Sequence, residues 1–132
     1  MNYNQTETHT PTILVVEDDE STGEVLTLAI SQETPYRPLL VRNGQDALHT
    51  FQQHKLNLLI LDYRLPDTTG IELYDRIYAI NESKFIPTIL MSATHPSEEI
   101  APRNIVLMEK PFELDILLKA INTLMDLECP SI

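Results

Sequence analysis

The sequence LLILD at residues 58–62 is a continuous apolar run that ends in a carboxylate. The sequence ILVVED at residues 13–18 repeats this pattern and ends in two carboxylates. Two further apolar runs occur at residues 88–91 and 105–108, and the segment 36–42 contains a shorter one at Leu39, Leu40 and Val41. Short, continuous runs rich in branched aliphatic side chains are typical of strands that are buried on both faces of a parallel sheet. The chain is therefore predicted to contain five such strands.

Amphipathic stretches fill the intervals between the apolar runs and follow the last of them. In the final stretch, apolar residues recur at the spacing of one helix face: Leu114, Leu117, Leu118, Ile121 and Leu124. We expect this last helix to begin near Phe112. The segment 93–104 contains Pro96 and Pro102, so the fourth helix is predicted to be short or missing. Five repeats of strand and helix predict an α/β domain, with a parallel sheet and helices on both of its faces.

Length and charge limit the kind of protein that this chain can be. Its 132 residues suit one domain, and we expect a flexible leader at 1–11, the domain at 12–128 and a tail at 129–132. Asp and Glu total 20 against 9 Lys and Arg, which gives a formal net charge of -11. Such a charge repels nucleic-acid phosphates and anionic lipid head groups. We therefore expect neither a nucleic-acid partner nor a membrane partner.

The sequence contains no pattern typical of export or membrane insertion. No apolar run approaches the roughly 18 residues that span a bilayer, and the polar beginning of the chain lacks the apolar core of a signal peptide. The single cysteine, Cys129, cannot form an internal disulfide. A cytoplasmic protein is the expectation that follows.

Polar side chains follow four of the five predicted strands where each strand ends, which is where open parallel sheets bind ligands. Glu17 and Asp18 follow the first strand, Asp62 ends the third, Ser92 the fourth, and Lys110 follows the fifth. Crowded carboxylates repel one another, and their oxygens suit Mg²⁺. Asp62 is then a candidate nucleophile, with the Lys110 ammonium and the Ser92 hydroxyl available to phosphoryl oxygens. The set predicts a phosphoryl-transfer site.

Each of these residues also has a purely structural interpretation. Acidic and hydroxyl side chains after a strand often cap the next helix, and Asp18, Asp19 and Ser21 suit that role. A single aspartate, serine or lysine at a strand end carries little information. The four histidines are scattered without metal-ligand spacing. The functional interpretation therefore depends on the whole set falling at the correct ends of the correct strands.

With these residues assembled, the sequence resembles the receiver domain of two-component response regulators over about residues 12–127. The resemblance rests on four segments: ILVVEDD at 13–19, LDYRLP at 61–66 with Gly70, MSA at 91–93 and KPF at 110–112. It implies a flavodoxin-like, doubly wound five-stranded parallel sheet of order 2-1-3-4-5. It also implies a stand-alone receiver that takes a phosphoryl group from a histidine kinase or a phosphotransfer protein and signals by contact with a downstream protein.

The resemblance also assigns a role to each residue of the site. Asp62 matches the phospho-acceptor. Asp18 matches the acid that ligates Mg²⁺ directly, and Glu17 matches its neighbour, which acts through water. Arg64 matches the position whose backbone carbonyl completes the metal shell. Such a domain is not a separate enzyme, although it assists its own phosphoryl transfer and hydrolysis.

Two further residues match the part of the family pattern that contacts the phosphoryl group. Ser92 matches the hydroxyl residue that moves to bond this group. Lys110 matches the lysine that contacts it, and the peptide bond between Lys110 and Pro111 is expected to be cis.

Three positions depart from the family pattern. Leu107 stands where many members carry Tyr or Phe, an aromatic that couples the hydroxyl to the surface. The segment 93–104 is about one helical turn shorter than usual, which puts dimerisation through the fourth helix in doubt. Arg64 is long and charged at the mouth of the site, where its side chain would affect the access of water.

Two other functions are compatible with parts of the sequence. A receiver-like binding module that is never phosphorylated is compatible with Leu107 and the short segment. A haloacid-dehalogenase-like phosphatase also uses a strand-end aspartate with Mg²⁺. That class needs a second acid two residues after the nucleophile. Arg64 holds that position after Asp62, and Glu20 holds it after Asp18 but already belongs to the predicted helix entry.

Overall fold

The computed structural model describes residues 10–81 and 85–128, and within them five strands alternate with five helices. The elements are β1 (Thr12–Val16), α1 (Glu20–Glu33), β2 (Arg37–Val41), α2 (Gly44–Gln53), β3 (Leu58–Asp62), α3 (Gly70–Asn81), β4 (Thr88–Ser92), α4 (Ser97–Ile100), β5 (Ile105–Glu109) and α5 (Leu114–Glu128). All strand pairs are parallel, in the order β2-β1-β3-β4-β5. The predicted doubly wound sheet is confirmed. Cys129, the tail at 129–132 and all but the last two residues of the predicted leader lie outside the described residues.

The three inner strands explain why the sequence lacks alternation between apolar and polar residues. Every residue of β1, β3 and β4 is buried. Consecutive side chains of a strand point to opposite faces. Ile13 and Val15 therefore pack with α1 and α5, while Leu14 and Val16 pack with α2 and α3. A strand with helices on both of its faces needs apolar residues at every position.

The two edge strands have less of their surface buried. Residues of β2 are exposed or partly buried, and Pro38 is tolerated there because an edge strand has one side without a hydrogen-bonded neighbour. The strand is slightly shorter than the predicted range 36–42. Helix α5 begins at Leu114, two residues later than predicted, because the Glu113 carbonyl accepts the first hydrogen bonds of the helix. None of the helices in the described ranges is long and apolar enough to cross a bilayer.

The fourth helix is a single turn of four residues, which confirms that it is short. Contacts with neighbouring elements hold it in place. Arg103 pairs with Asp75 of α3 through two hydrogen bonds, of 2.8 Å from Nε and 2.6 Å from Nη2. The Tyr63 hydroxyl donates to Glu99 Oε1 at 2.7 Å. The segment therefore depends on α3 and on the residue after Asp62 for its position.

Gly70, the first residue of α3, leaves no space for a side chain. A Cβ there would lie 2.5 Å from the Asp62 carbonyl oxygen and 2.6 Å from Leu90 Cδ1. The carbonyl belongs to a central strand and cannot move aside. We predict that Gly70→Ala lowers the free energy of unfolding by about 1–3 kcal/mol, measured by urea denaturation.

Gly23→Ala is the matched control for this substitution. Its Cβ would meet only the terminal methyl groups of Leu40, at 2.9 and 3.0 Å, and these can rotate away. Alanine also favours a helix interior over glycine by about 1 kcal/mol. The control should stay within about 1 kcal/mol of the parent protein. Equal stability of the two variants would contradict the close packing of Gly70.

Candidate functional site

The residues predicted for the site lie together at the carboxyl ends of the strands. A cavity of about 310 Å³ opens there. All the predicted residues line it: Glu17, Asp18, Asp62, Arg64, Ser92 and Lys110. The remaining lining residues are Asp19, Tyr63, Ala93 and Thr94. The residues predicted from the sequence therefore lie together in one cavity, and the geometry shows what these side chains can do together.

Three carboxylates meet in this cavity. Glu17, Asp18 and Asp62 each bring an oxygen within 4.8 Å of the other two. The register of the sheet produces this approach, since Val16 pairs with Leu61 and the next residues along the two strands are Glu17 and Asp62. Glu17 and Asp62 are buried, whereas Asp18 is exposed. Their mutual repulsion is strong because little water screens the two buried groups.

Lys110 is the cation closest to these carboxylates among the ion pairs of the described residues. Its Nζ lies 3.0 Å from Asp62 Oδ1 and 3.6 Å from Glu17 Oε1. Burial acts against the charged lysine, but the hydrogen bond to Asp62 and the charges of both acids outweigh it and raise the pKa of Lys110. A backbone bond of 2.7 Å from Lys110 N to the Ser92 carbonyl fixes its position, and its bond to Pro111 is cis, as predicted.

One oxygen of Glu17 lacks a hydrogen-bond partner. The Glu17 side chain is 1% exposed, and its Oε2 accepts from Asp19 N at 3.1 Å. Its Oε1 is buried and receives no hydrogen bond. Burial and the adjacent Asp62 raise the pKa of Glu17 to about 7, although the Asp19 N–H and Lys110 act in the opposite direction. An orphaned carboxylate oxygen beside two other acids fits a cation or its water shell.

Asp19 has a structural role. Its side chain caps α1 and accepts hydrogen bonds from Thr22 N at 2.9 Å and from Thr22 Oγ1 at 2.6 Å. These bonds lower the pKa of Asp19. The cap interpretation of the acidic run is therefore correct for Asp19, while Asp18 and Glu17 belong to the carboxylate cluster.

The loop between β3 and α3 is fixed at its base and at its tip. The Tyr63 carbonyl accepts from Gly70 N at 2.8 Å. At the tip, the Asp67 carboxylate accepts from Gly44 N at 2.8 Å and from Gln45 N at 3.0 Å, so it binds the beginning of α2. Sequence reasoning missed Asp67 because its partners lie more than 20 positions away. This loop carries the exposed Arg64 at the mouth of the cavity.

Thr94 is a second residue that sequence reasoning missed. Its backbone N donates to Ser92 Oγ at 3.1 Å, and the two hydroxyl oxygens are also 3.1 Å apart. Ser92 is 2% exposed, whereas Thr94 is exposed at the rim of the cavity. A hydroxyl residue two positions after Ser92 was the available signal. His49, His54 and His95 are exposed and do not line the cavity, whereas His9 lies outside the described residues.

The sequence matches the response regulator receiver domain family over residues 13–122. Response regulator RR06 from Streptococcus pneumoniae is 31% identical over 116 residues, which are 85% of this chain and 52% of RR06. The chain thus spans about half the length of that relative. The response regulator receiver protein CpdR from Brucella abortus is 30% identical over 116 residues, covering 86% of this chain and 95% of CpdR.

A solved structure extends this similarity to three dimensions. The response regulator TrrA from Thermotoga maritima, solved in complex with Mg(2+)-BeF, superposes with a TM-score of 0.76 at 27% sequence identity. The superposition covers 87% of this chain and 99% of TrrA. The strand order, the carboxylate cluster at the strand ends and the match over residues 13–122 together show that this chain belongs to the response regulator receiver domain family.

Proposed function

We propose that Asp62 accepts a phosphoryl group from a phosphohistidine of a histidine kinase or a phosphotransfer protein, and that the modified domain then contacts a downstream protein. Receiver domains of two-component systems work in this way. The observation that carries the assignment to Asp62 is its position at the end of a central strand, with Lys110 Nζ 3.0 Å from Oδ1 and two further acids beside it. We expect this exchange to take place in the cytoplasm.

Mg²⁺ is the proposed cofactor. The donor set supports it, because carboxylate and carbonyl oxygens are the ligands that this ion prefers. Asp18 and Asp62 would hold it directly, Glu17 through water and Arg64 through its backbone carbonyl. The orphaned Oε1 of Glu17 fits such a site. When bound, Mg²⁺ supplies positive charge that offsets the repulsion between the carboxylates and an incoming phosphoryl group.

The residues of the chain then have defined tasks in the transfer. A carboxylate oxygen of Asp62 attacks phosphorus, so that an O–P bond forms while the P–N bond to the donor histidine breaks. The electrons of the broken bond remain with the imidazole nitrogen. Lys110 leaves the Asp62 oxygen and pairs with a phosphoryl oxygen, and Ser92 donates its hydroxyl proton to another. Most of the catalysis is therefore positioning and charge stabilisation.

An apolar surface beside the site supports docking of the donor protein. A cavity of about 590 Å³ lies between α1 and the residues after β5, and Lys110 lines both this cavity and the carboxylate cavity. Val25, Leu26, Phe112 and Leu114 contribute its apolar lining. Val25 of α1 is among the exposed large apolar residues. A donor protein covering this surface would bring its histidine to the edge of the carboxylate cavity.

The phosphatase alternative receives no support from the site. Receiver domains are in general phospho-acceptors rather than separate enzymes. A haloacid-dehalogenase-like mechanism needs a general acid two residues after the nucleophile, and that position holds the exposed Arg64. Incubation with Mg²⁺ and acetyl phosphate tests the alternative of a receiver-like module that is never phosphorylated.

The protein incubated with Mg²⁺ and acetyl phosphate should gain the mass of one phosphoryl group, and the Asp62→Asn variant should gain none. Intact-mass spectrometry measures both. Asp115→Asn, an exposed aspartate in the first turn of α5, is the matched control and should be modified like the parent. Modification of Asp62→Asn would refute the assignment. A parent protein that neither gains mass nor binds Mg²⁺ would favour the unphosphorylated binding module.

The pKa of Glu17 predicts a specific dependence of stability on pH. Between about 4.5, its ordinary value, and about 7, folded Glu17 keeps a proton that the unfolded chain has released. The folded state thus binds more protons in this window, so stability falls as pH rises through it, by roughly 3 kcal/mol in total. Without divalent ions, Glu17→Gln should be more stable than the parent at pH 8 and equal to it near pH 4. Urea denaturation at both pH values measures the difference.

Mg²⁺ should reduce the stability advantage of Glu17→Gln over the parent at pH 8, since the ion stabilises the charged carboxylates of the folded parent protein more than those of the variant. The exposed Glu113→Gln is the control and should match the parent at each pH. A Glu17→Gln variant less stable than the parent at pH 8 without divalent ions would show that burial and the adjacent Asp62 do not destabilise the Glu17 charge.

A further inference from the structure

The hydroxyl of Ser92 is already engaged before any phosphoryl group arrives. Ser92 ends β4 and is almost completely buried, and its Oγ accepts from Thr94 N at 3.1 Å. The Thr94 Oγ1 lies 3.1 Å from the same oxygen. A serine hydroxyl has one proton and two lone pairs, and the Thr94 N–H uses one lone pair. The direction of the hydroxyl–hydroxyl bond therefore decides where the Ser92 proton points.

Burial favours one direction for this bond. The proton of a buried hydroxyl needs an acceptor, and Thr94 Oγ1 is the acceptor within hydrogen-bond distance of Ser92 Oγ in the described part of the chain. Thr94 is exposed, so its own proton can be donated to water. The arrangement that gives both hydroxyl protons an acceptor is therefore Ser92 donating to Thr94 and Thr94 donating to the solvent.

The same proton has a second use under the function proposed above, on which this inference rests. There Ser92 donates it to a phosphoryl oxygen on Asp62. One proton cannot be donated in full to both acceptors, so the hydrogen bond that Ser92 donates to Thr94 is lost when the phosphoryl group is bound. We propose that Thr94 is a positioning residue that holds the Ser92 hydroxyl in the unphosphorylated arrangement and thereby lowers the affinity of the site for a phosphoryl group.

Two variants separate the hydroxyl of Thr94 from its other contributions. Thr94→Val keeps the shape of the side chain and the backbone N–H bond to Ser92 but removes the hydroxyl. Thr94→Ser keeps the hydroxyl. A residue that merely fills space or screens the cavity from water would act equally well in a protein without the Ser92 hydroxyl. Thr94→Val is therefore also made in a Ser92→Ala background, which forms a double-mutant cycle.

The probe is beryllofluoride, which stands in for the phosphoryl group, and its affinity in the presence of Mg²⁺ is measured by titration calorimetry. We expect Thr94→Val to bind it about 2- to 10-fold more tightly than the parent, the range that corresponds to one hydrogen bond. Thr94→Ser should bind like the parent. In the Ser92→Ala background, Thr94→Val should change nothing.

Three outcomes would contradict these expectations, and they differ in whether they overturn the role of Thr94 or the proposed function. Unchanged or weaker binding by Thr94→Val, with the parent binding normally, overturns the inference and leaves the proposed function intact. A gain that persists in the Ser92→Ala background also overturns it, because Thr94 would then act without Ser92. A parent protein that binds no beryllofluoride and is not modified at Asp62 contradicts the proposed function itself. Denaturation of each variant verifies that it is folded.

Discussion

The repulsion between Glu17 and Asp62 is the constraint on which the rest of the site depends. The two strands that bring these acids together are apolar along their whole length, and their register places the two acids at adjacent ends. The sheet is held by packing on both faces, so it does not relax to separate the charges. Lys110 relieves part of the repulsion, while burial and the adjacent Asp62 raise the pKa of Glu17 to about 7. An additional cation, or a proton, is the natural complement of this arrangement.

The same constraint supports the proposal that Asp62 is the phosphoryl acceptor. The close approach of the acids in the folded protein is unfavourable, and positive charge that enters the site offsets this repulsion. In the proposed transfer, the Lys110 ammonium moves from an Asp62 oxygen to a phosphoryl oxygen. Its backbone is fixed to the Ser92 carbonyl, while its side chain reaches the cavity. Ser92 and Lys110 are thus linked through the backbone, and both line the cavity that contains Asp62.

Most of the fold was predictable because it follows from local patterns. Strands buried on both faces have a sequence that little else produces, and two prolines in a short segment restrict α4 to one turn. That the candidate residues lie together was predictable because strand ends in a parallel sheet converge. The contacts of Asp67 with α2 and of Tyr63 with Glu99 were not, since they join residues 22 to 36 positions apart and leave no periodic signal. The Ser92–Thr94 bond is local, but it depends on how the chain turns after β4.

Leu107 stands where many members of the family carry an aromatic residue, and the structure places a different aromatic residue nearby. Leu107 packs partly buried against the core cluster on the α2 and α3 face, and Tyr63 and Ile100 pack against the same cluster. Tyr63 therefore provides an aromatic ring near α4, although it follows β3 and does not belong to β5. The bond from Tyr63 to Glu99 gives the residue after Asp62 a direct contact with α4.

The most direct test of this account is a crystal structure of the protein with Mg²⁺ and beryllofluoride. The account predicts a metal ion ligated by Asp18, Asp62 and the Arg64 carbonyl, with beryllofluoride on Asp62. It also predicts that Lys110 Nζ leaves its position 3.0 Å from Asp62 Oδ1 and contacts a fluorine atom instead. A metal ion bound away from this cluster, or an unmodified Asp62 still paired with Lys110, would contradict it.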